Sequence, residues 1–230
     1  MMIWILLGAM FSAGQGARAQ APEETLPYAV NWPSGLGLGE AVITANKVKN
    51  AEGAEQWRFE LKLDASVPGF TVSDKFRALA TAEYCSLEFE RDIRHGKRAD
   101  RERIIFDQAK GNAVRETLEG GGKSEFPIPA CAKDPLTYLF FARRELKQGR
   151  LPAAQPVFYG AAYAVRMESG GVQKIRAGDA WVETDRVLVT FKGPKADHKV
   201  EAFFARDAWR TPTLVRIPLP IATLVVELAR

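Results

Sequence analysis

The sequence predicts a mainly β protein of about ten short antiparallel strands with one inserted helix. Three observations carry that expectation. Apolar and polar residues alternate in run after run, most cleanly where Trp57, Phe59, Leu61 and Leu63 interleave with Arg58, Glu60, Lys62 and Asp64. Short turns such as His95-Gly96 and Lys110-Gly111-Asn112 join the runs and favour antiparallel pairing, because parallel strands need long crossovers. Only Lys133 to Gly149 has the spacing and punctuation of a helix. With 230 residues, 47% hydrophobic and 26% charged, the chain has ordinary globular composition, and no repeat or linker divides it.

Residues 1–19 have the make-up of a secretory signal peptide. Met1 to Phe11 form an apolar core, and Ala17-Arg18-Ala19 offers a cleavage site. No Lys or Arg precedes that core, so an N-terminal core helix is the competing reading. The apolar run is too short for a stable bilayer anchor, which leaves no transmembrane segment after cleavage. The expectation is export to the periplasm and a single β-rich domain over residues 20–230.

Along that domain, Ala21 to Pro27 reads as a short mobile lead and Tyr28 to Gly39 as a loop, with Trp32-Pro33 and three glycines. Glu40 to Lys49 alternates, with Ala41, Ile43 and Ala45 on one face. Phe70 to Ala82 follows Gln56–Asp64 as a third strand. From Cys85 the odd positions Leu87, Phe89, Arg91 and Ile93 share a face against Ser86, Glu88, Glu90 and Asp92, and a meander continues through Ile104–Phe106 and Ala113–Leu118. Val157, Tyr159, Ala161, Tyr163, Val165 and Met167 read as one strand, and Gly170-Gly171 as the turn into Val172 to Arg176. Runs at Arg186, Val200, Thr213 and Ala222 complete the set. In the helix, Asp134 is the N-cap, Pro135 the first helical residue and Gly149 the terminator, with Leu136, Leu139 and Phe140 on the apolar face.

In an oxidising compartment the only two cysteines, Cys85 and Cys131, are most simply one structural disulfide; two buried free thiols are the alternative. The net charge of +4 is spread over interspersed acids and bases, which excludes a nucleic-acid stripe. No catalytic residues, metal ligands or cofactor motif stand out. The two histidines, His95 and His198, fall in a turn and a charged loop, and Gly120 to Gly122 lack the helix that a phosphate loop requires. Arg143 lies on the apolar stripe of the helix. It must snorkel to a rim, pair with an acid such as Asp107 or Asp74, or face a wet groove, and the internal pair is favoured. Asp74, Arg91, Asp107 and Arg115 could join it in an internal ion network or a ligand site.

These stretches together resemble a known family. CS-x2-F from Cys85, HG at His95, FD at Phe106, RET at Arg115, GGGKS-x6-CAKDPLTYL from Gly120, RREL-x2-GR from Arg143, VFYGAAY from Val157, D-x2-RTP from Asp207 and YAVNWPSGLGLGEA from Tyr28 are similar to the domain of unknown function 3108 family. The resemblance implies an exported bacterial envelope protein without recognised catalytic residues. It also implies a curved antiparallel sheet or half-barrel wrapping the helix, in the manner of the lipoprotein carriers. A glycine is expected in the last strand where Ala222 stands. The first functional reading is a non-enzymatic binding or carrier module for a lipid or other apolar ligand, with Tyr159, Tyr163, Phe203 and Phe204 able to line its groove. The alternative is an envelope structural or assembly factor acting through a protein partner, and an enzyme ranks third.

Overall fold

A computed structural model describes residues 23–67, 69–194, 197–219 and 223–229. The stretch 1–19, expected to be a signal peptide, and Ala222 lie outside those residues. Fourteen strands form instead of about ten: β1 (Glu24–Asn31), β2 (Gly37–Lys49), β3 (Glu55–Val67), β4 (Phe70–Thr81), β5 (Ser86–His95), β6 (Arg98–Asp107), β7 (Asn112–Thr117) and β8 (Lys123–Pro127) precede the helix α1 (Pro135–Lys147). After it come β9 (Gln155–Phe158), β10 (Ala162–Ala177), β11 (Ala180–Lys192), β12 (Asp197–Ala205), β13 (Pro212–Pro218) and β14 (Thr223–Leu228).

All fourteen join one antiparallel sheet in the order β8-β7-β6-β5-β4-β3-β2-β1-β14-β13-β12-β11-β10-β9. It does not close. The strands immediately before and after the helix, β8 and β9, are its two edges, and side chains cross between them. Phe126 of β8 stacks on Phe158 of β9 with ring centres 5.6 Å apart. Arg115 of β7 donates to the Gly160 carbonyl at 2.6 Å.

Local residues mislead at three places. β1 occupies the expected lead and loop. Its proline argued against a strand, yet Leu26, Tyr28 and Val30 alternate inward and β2 and β14 flank it. The expected strand from Val157 to Met167 is two, turning at Gly160, whose φ of 65° suits glycine, so that Val157 pairs with Tyr163. Conversely, Gly170-Gly171 makes no turn. β10 runs through it with a register shift between Ser169 and Val172, a bulge that bends the strand without ending it.

The helix forms as expected. The Asp134 side chain accepts from the amides of Leu136 and Thr137, and Pro135 opens the first turn. The whole 13-residue helix is about 20 Å long and lies across one end of the sheet. Asp134 meets Ser86 of β5, Arg143 meets Glu24 of β1, and Lys147 lies over Trp209 of the β12–β13 loop. Leu136 and Phe140 pack into a core built from β1 to β6, with Phe140 stacked 4.1 Å from Phe59. Tyr138, Ala142 and Leu146 pack into a second core with β9 to β12. Leu139 is only half-buried, because it stands between the two cores and not at the centre of either.

Candidate functional site

Beside the second half of the helix, the aromatic side chains of Trp57, Tyr84, Phe140 and Trp209 line a cavity of about 350 Å³. Local sequence places each of them. Trp57 points inward on the period of β3 and stacks on Phe59 and on Tyr84, at 5.9 and 6.0 Å. Phe140 comes from the helix. Tyr84 sits in the turn between β4 and β5, in a left-handed conformation with φ of 62°. Trp209 is 70% exposed on the loop between β12 and β13.

The disulfide fixes that corner. Cys85 and Cys131 are bonded, with Cα atoms 4.5 Å apart, as expected of the only two cysteines. The bond ties the Tyr84 turn to the segment that leads into the helix. From that segment the Ala132 carbonyl accepts from the Ser86 amide, and the Lys133 carbonyl from the Phe158 amide. Cys131 is itself left-handed, with φ of 56°. Lys133 is buried beside it, its Nζ 2.8 Å from the Cys131 carbonyl oxygen and 4.3 Å from the centre of the Phe141 ring. Burial, with Arg144 nearby, pulls the Lys133 ammonium down to about 8. Asp134 is fully buried. Burial pushes its carboxyl up, against the pull of hydroxyl donors from Ser86 and Thr137 and of two helix amides.

Charge in the cavity is unevenly matched. Arg143 does not pair with Asp107 or Asp74 as expected. It forms a bidentate pair with Glu24, both contacts 2.7 Å, and donates from Nε to the Trp209 carbonyl at 3.1 Å. Arg143 therefore lines the cavity while its charge is already answered. Arg144 and Lys147 are held less tightly. The Arg144 guanidinium lies over the Tyr84 and Phe141 rings, and its buried Nε makes no hydrogen bond but stands 3.5 Å from Glu145 Oε1, a loose ion pair. Lys147 lies over Trp209 with no acid within 4.0 Å among the described residues. Burial raises the Tyr84 hydroxyl above its usual range, against Arg144 and Arg143, so it stays neutral. The arrangement can hold a flat or aliphatic body against aromatic rings and an anion at the cations.

The other expected charges lie elsewhere inside the sheet. Arg91 pairs with Asp100 and with Glu102, which is almost wholly buried, and Arg115 reaches the same Glu102 at 3.3 Å. Arg91 also lies 5.0 Å from the centre of the Tyr159 ring. Asp74 pairs with His95. Asp107 takes no part: it caps the turn after β6, accepting from the Lys110 amide and pairing with its ammonium, which hold its carboxyl below the usual range. Of the aromatics expected in a groove, Phe203 and Phe204 are fully buried in cores, Tyr159 belongs to the ion cluster and Tyr163 packs against Gly193. Glu24, Glu102, Trp57, Tyr84 and Trp209 carried no local signal of their roles. The alternation of β3 marked only Trp57 as inward. Among the described residues, no three His, Cys, Asp or Glu gather to hold a metal ion.

The fold and this geometry define a class, an exposed-edge β-sheet protein with a helix across one end. The family described as "Protein of unknown function (DUF3108)" matches residues 27–229, and the chain belongs to it. The fold is similar to that in the crystal structure of a beta-barrel-like protein of domain of unknown function DUF1849 from Brucella abortus. That likeness has a TM-score of 0.59 and 10% identity over 90% of this chain and 95% of that one. No curated protein matches the sequence.

Proposed function

We propose that this protein is a non-enzymatic binding module of the periplasm, and that its ligand is an apolar or aromatic body carrying one anionic group. The observation that carries the reading is the cavity itself, walled by Trp57, Tyr84, Phe140 and Trp209 and bordered by two cations: Lys147, with no acid within 4.0 Å among the described residues, and Arg144, which has one loose ion pair to Glu145 at 3.5 Å. The curved sheet over a helix supports the comparison with lipoprotein-carrier half-barrels. A volume of about 350 Å³ is near the small end for ligand sites, which favours a single acyl chain or ring system over a multi-chain lipid.

Dodecanoate is a suitable probe, with Trp57 and Trp209 as reporters. Tryptophan fluorescence should change saturably with dodecanoate and much less with dodecanol. Replacing Arg144 and Lys147 together by alanine should weaken dodecanoate binding about tenfold, the equivalent of ~1.4 kcal/mol. No saturable response, or equal binding by the double variant, would overturn the reading. In that case the free β8 edge, whose residues are mostly exposed, would favour the alternative of an assembly factor that pairs with a partner strand.

A further inference from the structure

The end of the sheet opposite the helix carries its own signature. Antiparallel order places the turns β7–β8, β5–β6, β3–β4, β1–β2 and β13–β14 side by side along that rim. Successive turns are two strand spacings apart, about 10 Å. Nine large apolar side chains are markedly exposed among the described residues, and five of them stand on this one arc: Leu118, Phe70, Val67, Leu36 and Leu219. They are between 38% and 64% exposed. The intervening β5–β6 turn presents Lys97 and Arg98, both exposed, while Lys123, on the same hairpin as Leu118, is paired with Glu116 at 3.2 Å. Glu119 is the one acid among these tips. Neighbouring tips touch, since the Phe70 ring meets the β5–β6 turn with its centre 6.5 Å from that of His95.

We propose that this rim docks on an anionic bilayer surface, its apolar tips entering the headgroup layer and its cations meeting lipid phosphates. Single exposed apolar residues need no explanation, but five on four turns of one arc do. Their spacing selects the partner. A protein interface gathers apolar side chains into a contiguous core with charges around it. Here the apolar groups stand on separate turns, with the Lys97 and Arg98 cations between Leu118 and Phe70, the pattern of a membrane-surface anchor. The rim lies at the far end from the aromatic cavity, so docking would leave the cavity mouth free, and the inference does not depend on the ligand proposed for it.

The test is flotation with vesicles of phosphatidylcholine alone and of phosphatidylcholine mixed with phosphatidylglycerol. The protein should float with the mixed vesicles and release as salt is raised. Leu36→Ser with Phe70→Ser should reduce the bound fraction at least about tenfold, and so should Lys97→Glu with Arg98→Glu. Near-ultraviolet circular dichroism and dodecanoate binding should remain as in the parent protein, because the substituted side chains are exposed and far from the cavity. Absence of flotation, or equal flotation by either variant, overturns the proposal. So does a concentration-dependent dimer of the parent that either variant dissolves, because the rim would then be a contact between copies of the chain.

Discussion

Arg143 lies on the helical stripe that carries Leu136 and Phe140, yet its guanidinium is neither at a rim nor against the acids nearest in sequence logic. Its side chain is 5% exposed and both terminal nitrogens are held by Glu24. Truncating one partner of such a pair leaves the other charge stranded, so Arg143→Ala should cost about 2–5 kcal/mol. Chemical denaturation of Arg143→Ala, Glu24→Ala and the double variant should show coupling above ~1 kcal/mol, whereas cycles with Asp107 or Asp74 should add within ~0.5 kcal/mol. Additivity with Glu24 would refute the pair. The sequence made Arg143 conspicuous because a charge on an apolar stripe demands an answer. It hid the answer because Glu24 is 119 positions away, in a segment whose prolines spoke against structure. Glu102 was hidden in the same way: opposite Arg91 only once β5 and β6 are in register, it reads locally as one more charge in a charged run.

The helix was the most legible element, since its cap, first-turn proline and terminating glycine are all local signals. What its sequence could not say is that two cores share it. Phe140 is sealed against Phe59, while Leu139 faces the seam between the cores. Phe140→Ala should therefore cost about 3–5 kcal/mol and Leu139→Ala distinctly less, in thermal or denaturant unfolding. Equal costs would mean that the helix has one buried face only. The strands show the complementary lesson. Period two identified the inner face of β3 without error. On β5 it failed at one residue, because a register shift opposite Leu79 and Ala80 turns Ser86 inward, where it hydrogen-bonds Asp134. A bulge adds one residue to one strand and leaves no mark in the pattern of apolar residues.

For the whole molecule, the consequence of an open sheet is a seam. The strands on either side of it, β8 and β9, each have one ladder, and across the gap stand the Phe126–Phe158 stack and the Arg115–Gly160 hydrogen bond. Near the same seam, the chain between Cys131 and Asp134 reaches β5 on one side and β9 on the other, and the disulfide pins it there. Stability should thus be graded across the sheet, lowest at β8 and β9 and highest at β3 and β4, which have ladders on both sides and the helix on their inner face. Hydrogen exchange read by mass spectrometry should show peptides of β8 and β9 exchanging before those of β3 and β4. Reduction of the disulfide adds chain entropy to the unfolded state, lowering global stability by about 3–4 kcal/mol for a loop of this length. It also frees the segment that bridges the seam. Exchange in β9 and at the Tyr84 turn should therefore accelerate more than the global loss accounts for. Uniform acceleration across all strands would mean that the bond acts on the unfolded chain alone and that the seam is held by its side chains.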